Sequence, residues 1–180
     1  MYKIKASIIM TVMMTYKMIC TPVSAEIFSI YGRLVPSACM LETLPIVQLG
    51  NNISSAQLSM SDISQAQSSP VNFTVVLSHC PAITTKVTAT ITGTTDSADR
   101  TLFAITKGTG MADGIGILIT DRDHGNVVLS DQGTSTVSIS EAVPSNRTAT
   151  FNWQASVKRS SFPVIAGKIQ SSVMVNISYP

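Results

Sequence analysis

The stretch Gly167-Lys168-Ile169-Gln170-Ser171-Ser172-Val173-Met174-Val175-Asn176-Ile177-Ser178-Tyr179-Pro180 decides how this chain is read. From 169 onward the odd positions are Ile, Ser, Val, Val, Ile, Tyr, and the even ones Gln, Ser, Met, Asn, Ser. Side chains alternate faces along a strand, so the odd set predicts an apolar stripe and the even set a mostly polar one. Ile169, Val173, Val175, Ile177 and Tyr179 are β-branched or aromatic, types that suit a pleated, half-buried surface. No hairpin partner follows this strand. It must therefore pair with distant segments on both edges or leave one edge open.

A second alternating stretch lies near the other end. Phe28, Ile30, Gly32 and Leu34 share one parity, with Ser29, Tyr31 and Arg33 on the other. Glycine inside a strand marks a bulge or the close approach of another backbone. Pro36 removes a ladder donor and ends or bends the strand before Cys39.

Residues 1–25 read as an export signal. Lys3 and Lys5 give a positive start, an apolar Met-rich run follows from Ala6 to Tyr16, and Val23-Ser24-Ala25 offers a small-residue cleavage site. Lys17 interrupts the run, which is too short to span a bilayer, so no membrane span is expected in the mature chain. Loss of the signal removes Lys3, Lys5 and Lys17 and leaves nine basic against ten acidic residues, a net charge of −1. Nothing in that balance suggests nucleic acid. The signal also takes Cys20, so Cys39 and Cys80 remain, and an even count in an exported chain reads as one disulfide. Closing a loop of about 40 residues contributes roughly 4 kcal/mol on the chain-entropy account. Neither His79 nor His124 falls into a Cys/His metal-ligand spacing.

Between the two ends, short apolar alternations recur with turn signals between them. Leu44-Pro45-Ile46-Val47-Gln48-Leu49-Gly50 reads as a short strand, and residues 54–69 as either a long loop or a frayed helix. Val71 to Leu77 and Lys86 to Gly93 are strands, the second with Val87, Ala89 and Ile91 facing inward. Leu102 to Ile105 is a further short one. Ile115 to Thr120 and Val127 to Leu129 flank the turn Asp121-Arg122-Asp123-His124-Gly125-Asn126 as a hairpin. Val137 to Ile139 is a weaker strand, and Thr148 to Val157 carries Phe151, Trp153, Ala155 and Val157 on one face. Frequent short strands, almost no helical periodicity and one disulfide predict a single all-β sandwich.

Other chemistry finds little support in the residues. Catalysis needs a nucleophile, a base and an orienting group together. His124 lies among acids, but a polar turn tip has that composition anyway. The Asp121/Asp123/Asn126 set lacks the sixth-position Gly and distal Glu of a calcium loop. No enzyme activity, metal or cofactor is expected. Trp153 shares parity with Phe151 and Ala155 and reads as core rather than a sugar-stacking platform.

Taken together, these segments resemble the fimbrial (pilin) subunits of the bacterial chaperone–usher pathway, closest to the type 1 group. Gly167 fourteenth from the end and Tyr179 penultimate, with alternating apolar residues between, are similar to that family's chaperone-recognition signature. Phe73 to Cys80, Val47-Gln48-Leu49-Gly50, Ala112-Asp113-Gly114-Ile115-Gly116-Ile117, and Phe151-Asn152-Trp153-Gln154-Ala155 followed by Val164-Ile165-Ala166-Gly167 resemble family segments in the same order.

The resemblance implies an incomplete immunoglobulin-like β-sandwich (the pilin fold), one strand short, completed by a donor strand from another chain. Residues 1–25 are then the signal peptide, 26–38 the donor arm and 39–180 the pilin domain. Phe28, Ile30, Gly32 and Leu34 are the donor residues, and Gly167, Ile169, Val173, Val175, Ile177 and Tyr179 border the groove that meets chaperone or neighbour. The implied partners are a periplasmic pilus chaperone, an outer-membrane usher and neighbouring pilin subunits. The implied place is the cell-surface fimbrium, reached through the periplasm. Thirteen residues, 26–38, precede Cys39. That arm is similar in length to those of minor, adaptor subunits; a major shaft pilin and a self-contained secreted immunoglobulin-like or lectin-like binding module are the alternatives.

Overall fold

A computed structural model of the chain describes residues 38–43, 45–62, 66–141 and 146–179. The signal peptide and the donor residues Phe28, Ile30, Gly32 and Leu34 lie outside them. Everything below belongs to the unit Pro36–Pro180.

The described residues form β1 (Met40–Thr43), a single helical turn α1 (Ser55–Leu58), β2 (Val71–Ser78), β3 (Lys86–Thr92), β4 (Phe103–Ala104), β5 (Ile115–Asp121), β6 (Val127–Val128), β7 (Gly133–Ser138), β8 (Ala149–Arg159) and β9 (Met174–Ser178). One sheet runs β1-β2-β8-β5-β4, with β6 also on β5; the other runs β7-β3-β9. Every pairing within them is antiparallel. The fold is thus an all-β sandwich, with the core between the sheets.

Alternation in the sequence becomes alternation of burial. Ala149, Phe151, Trp153, Ala155 and Val157 of β8 are buried on one parity. In β3, Val87, Ala89 and Ile91 are buried and Thr88, Thr90 and Thr92 are half-buried. Strand β5 is buried at every position, because its even-numbered face is covered as well. There a Cβ added to Gly116 would stand 2.8 Å from Leu102 Cβ, so glycine lets the preceding loop lie flat on the sheet.

Cys39 and Cys80 are joined by the expected disulfide. It ties the start of β1 to the end of β2, the strand β1 pairs with. Residues 121–126 turn as expected, with Thr120 opposite Val128 and Asp121 opposite Val127. Asn126 and Gly125 both take positive φ there, 60° and 72°. The Asp121 carboxylate accepts from Asp123 N at 3.0 Å and from His124 Nδ1 at 2.7 Å, which closes the turn.

Of residues 54–69, those described hold a single helical turn and, from Ala66 on, a short bridge to β8. Ser54 caps the turn α1 through a bond from Gln57 N, and Leu58 is buried beneath it. Further on, Ser68 N donates to Val157 O at 2.8 Å and Arg159 N to Ala66 O at 3.0 Å, so this segment continues the β2 edge along β8. Arg159 is buried at the end of β8. It donates to the carbonyls of Leu58, Met60 and Ser61 and lies 4.1 Å from the Phe162 ring centre.

Two strand expectations need correction. Residues 45–50 form no strand; the ladder partner that would define one is missing, since β1 before them already occupies the β2 edge. The 169–179 strand is narrowed to β9, because the preceding residues bond to another segment.

A candidate strand-accepting groove

The apolar residues of 45–50 do not turn into the core as a strand would. Val47, Leu49 and the following Ile53 are half-buried and pack against the core from the side, while Ile46 is 87% exposed. Opposite them runs the segment 167–175. Between these two walls lies an open groove of ≈ 970 Å³.

Its floor is the sandwich interior itself. Phe73 and Val75 of β2, Trp153 and Ala155 of β8, Ile117 and Ile119 of β5, and Ile91 of β3 all reach it. Trp153 is buried, edge-on to Phe73 at 5.9 Å between ring centres and tilted against Phe151 at 5.5 Å. Both sheets thus contribute to an apolar trough that no described strand closes. Within the described residues β9 pairs only with β3 and forms the edge of its sheet.

The second wall is positioned by Gly167. A Cβ on it would stand 2.4 Å from Met111 C and 2.5 Å from Ala112 N, distances no side chain tolerates. That approach allows Ala112 N to donate to Lys168 O at 3.0 Å and Lys168 N to Gly110 O at 2.9 Å. Thr106 N donates to Gln170 O at 2.7 Å and Ser171 Oγ to Ala104 O at 2.7 Å. The chain is held on the 104–113 segment as far as Ser171, then crosses to β3, where Val175 faces Ile91 and Ile177 faces Ala89.

Gly167, Ile169, Val173 and Val175 therefore all line the groove. Ile169, Val175 and Ile177 are half-buried against the core, and Val173 is 37% exposed. Ile177 continues the inward parity of β9, and Tyr179, just past that strand, is likewise 37% exposed. The even-numbered Met174, Asn176 and Ser178 are exposed, as the alternation requires. Sequence reasoning did not single out the opposite wall, Val47, Leu49 and Ile53, as part of a site. Pro45 and Gly50, which break a ladder at both ends of that segment, were the available signal.

The family model for fimbrial protein matches residues 28–180. The chain belongs to the fimbrial protein family. Solved structures agree on the pilin fold. The P pilus rod subunit PapA is 16% identical, with a TM-score of 0.62 over 80% of this chain and 100% of that one. The P pilus adaptor subunit PapF is 15% identical, with a TM-score of 0.52 over 81% and 98%. The Burkholderia pseudomallei antigen and type I fimbria protein is 21% identical, with a TM-score of 0.52 over 81% and 91%. No curated protein matches this fimbrial chain by sequence. Among its described residues no helix is long and apolar enough to cross a membrane.

Proposed function

We propose that this fimbrial protein is a structural subunit of a type 1-like pilus, assembled by donor-strand exchange and supporting cell adhesion. The observation that carries the reading is the groove: an apolar floor drawn from both sheets, beside an edge of β9 that no described strand pairs. An extended segment laid there gains backbone hydrogen bonds along β9 and buries alternate side chains in the trough. Each fully buried Ile, Leu or Phe contributes about 1.5–3 kcal/mol.

The signal at 1–25 sends the chain to the periplasm, where a chaperone covers the groove until an outer-membrane usher passes the subunit on. The N-terminal arm of a neighbouring subunit then replaces the chaperone. This chain's own arm, residues 26–38, enters a third subunit through Phe28, Ile30, Gly32 and Leu34. The contact is heterologous and does not close, so it generates a fibre rather than a ring. The 13-residue arm supports a minor, adaptor position, with the shaft as the second reading.

Co-expression tests this directly. The mature chain should be poorly soluble alone and rescued by a cognate periplasmic chaperone; equal soluble yield in both cases argues against the proposal. A bulky residue in place of Gly32 should leave chaperone capture intact and block incorporation into fibres, and normal incorporation would defeat the assignment of the arm.

A further inference from the structure

Exposed apolar side chains stand at both ends of the sandwich, outside the groove. At one end β8 stops at Arg159, opposite Ile115 at the start of β5, and Gly167 lies just beyond, against Met111 and Ala112. Phe162 is 62% exposed there, and Ile165 and Met60 are exposed as well. At the other end Met40 pairs with Ser78 at the close of β2, and Met40 and Leu41 are both exposed. The first set is held firmly. The Arg159 guanidinium lies 4.1 Å from the Phe162 ring centre and donates to Met60 O. Ile165 N donates to Asp113 O at 3.0 Å, Asp113 N to Ile165 O at 3.1 Å, and Ser160 N to Gly114 O at 3.0 Å. An exposed aromatic side chain already fixed in place loses little freedom when a partner covers it.

The direction and length of the arm say what covers them. Strand β9 runs away from the Gly167 end of the groove. Pairing within both sheets is antiparallel throughout, and an arm laid along β9 in the same way runs back toward Gly167. Its last residues then emerge at the end that carries Phe162 and Ile165, with the body of the donating subunit directly behind them. In this chain Cys39 comes five residues after Leu34, a reach of at most about 17 Å, and Pro36 stiffens that link. The first residues of the body, Met40 and Leu41, are the exposed apolar pair of the opposite end.

We propose that Phe162 and Ile165, with Met60, seat the body of the subunit whose arm fills the groove, through apolar residues that directly follow that arm, as Met40 and Leu41 do in this chain. The inference rests on the donor-strand reading given above and adds a second contact outside the groove. The arm decides which subunit comes next, and the seat fixes the angle between the two bodies. Unlike surfaces at opposite ends meet, so the contact repeats head to tail along a fibre.

Fibres that incorporate the full mature chain carry the test. With p-benzoylphenylalanine in place of Phe162, irradiation should join the chain to the neighbouring subunit. Mass spectrometry should map the adduct to the few residues after that subunit's arm. Phe162→Ser/Ile165→Ser should be released from fibres by denaturant about tenfold faster than wild type. The same variant should show the wild-type rise in Tm with a synthetic peptide of residues 26–38, because the groove is untouched. The photoreactive residue keeps an aromatic ring beside Arg159, so the mapping decides the matter if the serine variant does not fold.

Adducts that map elsewhere on the neighbour, release of the serine variant at the wild-type rate, or loss of its peptide response each overturn the seat while leaving the groove reading intact. No response of wild type to the peptide, together with no incorporation into fibres, overturns both.

Discussion

Gly167 lies against the backbone of Met111 so closely that any Cβ on it would sit 2.4 Å from the Met111 carbonyl carbon. This contact brings the 167–171 segment onto residues 104–113 and aims the chain at the free side of β3. Glycine is required here for the space it leaves, since both sides of the contact are backbone and neither can swing away. Gly167→Ala should cost about 1–3 kcal/mol, as an overpacked contact does. Urea unfolding measures it. Hydrogen exchange at the Ala112 and Lys168 amides should accelerate in the same variant, and unchanged protection there would show that the contact is not the cause.

Removal of the disulfide should act at the β1 edge of the larger sheet. Cys39 and Cys80 join β1 to β2. The double variant Cys39→Ser/Cys80→Ser should lose about 2–5 kcal/mol. The midpoint of denaturant unfolding under non-reducing conditions checks this, with wild type falling to match the variant when reductant is added.

Arg159 should prove structural. Its buried guanidinium satisfies carbonyls of Leu58, Met60 and Ser61 and stacks under Phe162. Arg159→Met keeps much of the stem but removes every donor, at a cost of about 2–3 kcal/mol. Limited proteolysis should show new cleavage within 54–69, because the side chain that holds this segment to β8 is gone.

Acid should weaken the fold in a defined direction. The Asp113 carboxyl is held below its ordinary 3.8 by a hydrogen bond from the Lys107 ammonium and another from the Gly114 amide. For Asp99, partial burial pushes upward, but bonds from the Thr101 hydroxyl and amide outweigh it, aided by the charge of Lys158. A carboxyl depressed in the folded state contributes stability above its unfolded pKa and loses it as pH falls through the folded value. Stability should therefore decline as pH drops from about 5 to about 2. The double variant Asp99→Asn/Asp113→Asn should flatten that decline in urea titrations at successive pH values.

Where one strand is buried on one face and paired along its length, its place was legible in the residues. Phe151, Trp153, Ala155 and Val157 share a parity, and β8 buries that face. The same holds for Val87, Ala89 and Ile91 in β3, and Cys39 and Cys80 form the expected disulfide. Ile169, Val175 and Ile177 are half-buried on the expected parity, while Val173 of the same parity is exposed and hydrogen-bonded strand covers only Met174–Ser178. Residues 45–50 misled because apolar content at strand spacing says nothing about whether a partner edge exists.

By itself the sequence determined the parity of the buried strand faces and the disulfide. The tertiary structure decided that 45–53 and 167–175 stand apart as walls, that only glycine fits at 167 against the Met111 backbone, and that Ala155 lies between Val71 and Ile119. Periodicity is a local property, carried by each residue's neighbours in the chain. An open groove is the space left when distant strands have paired, and no local pattern records it.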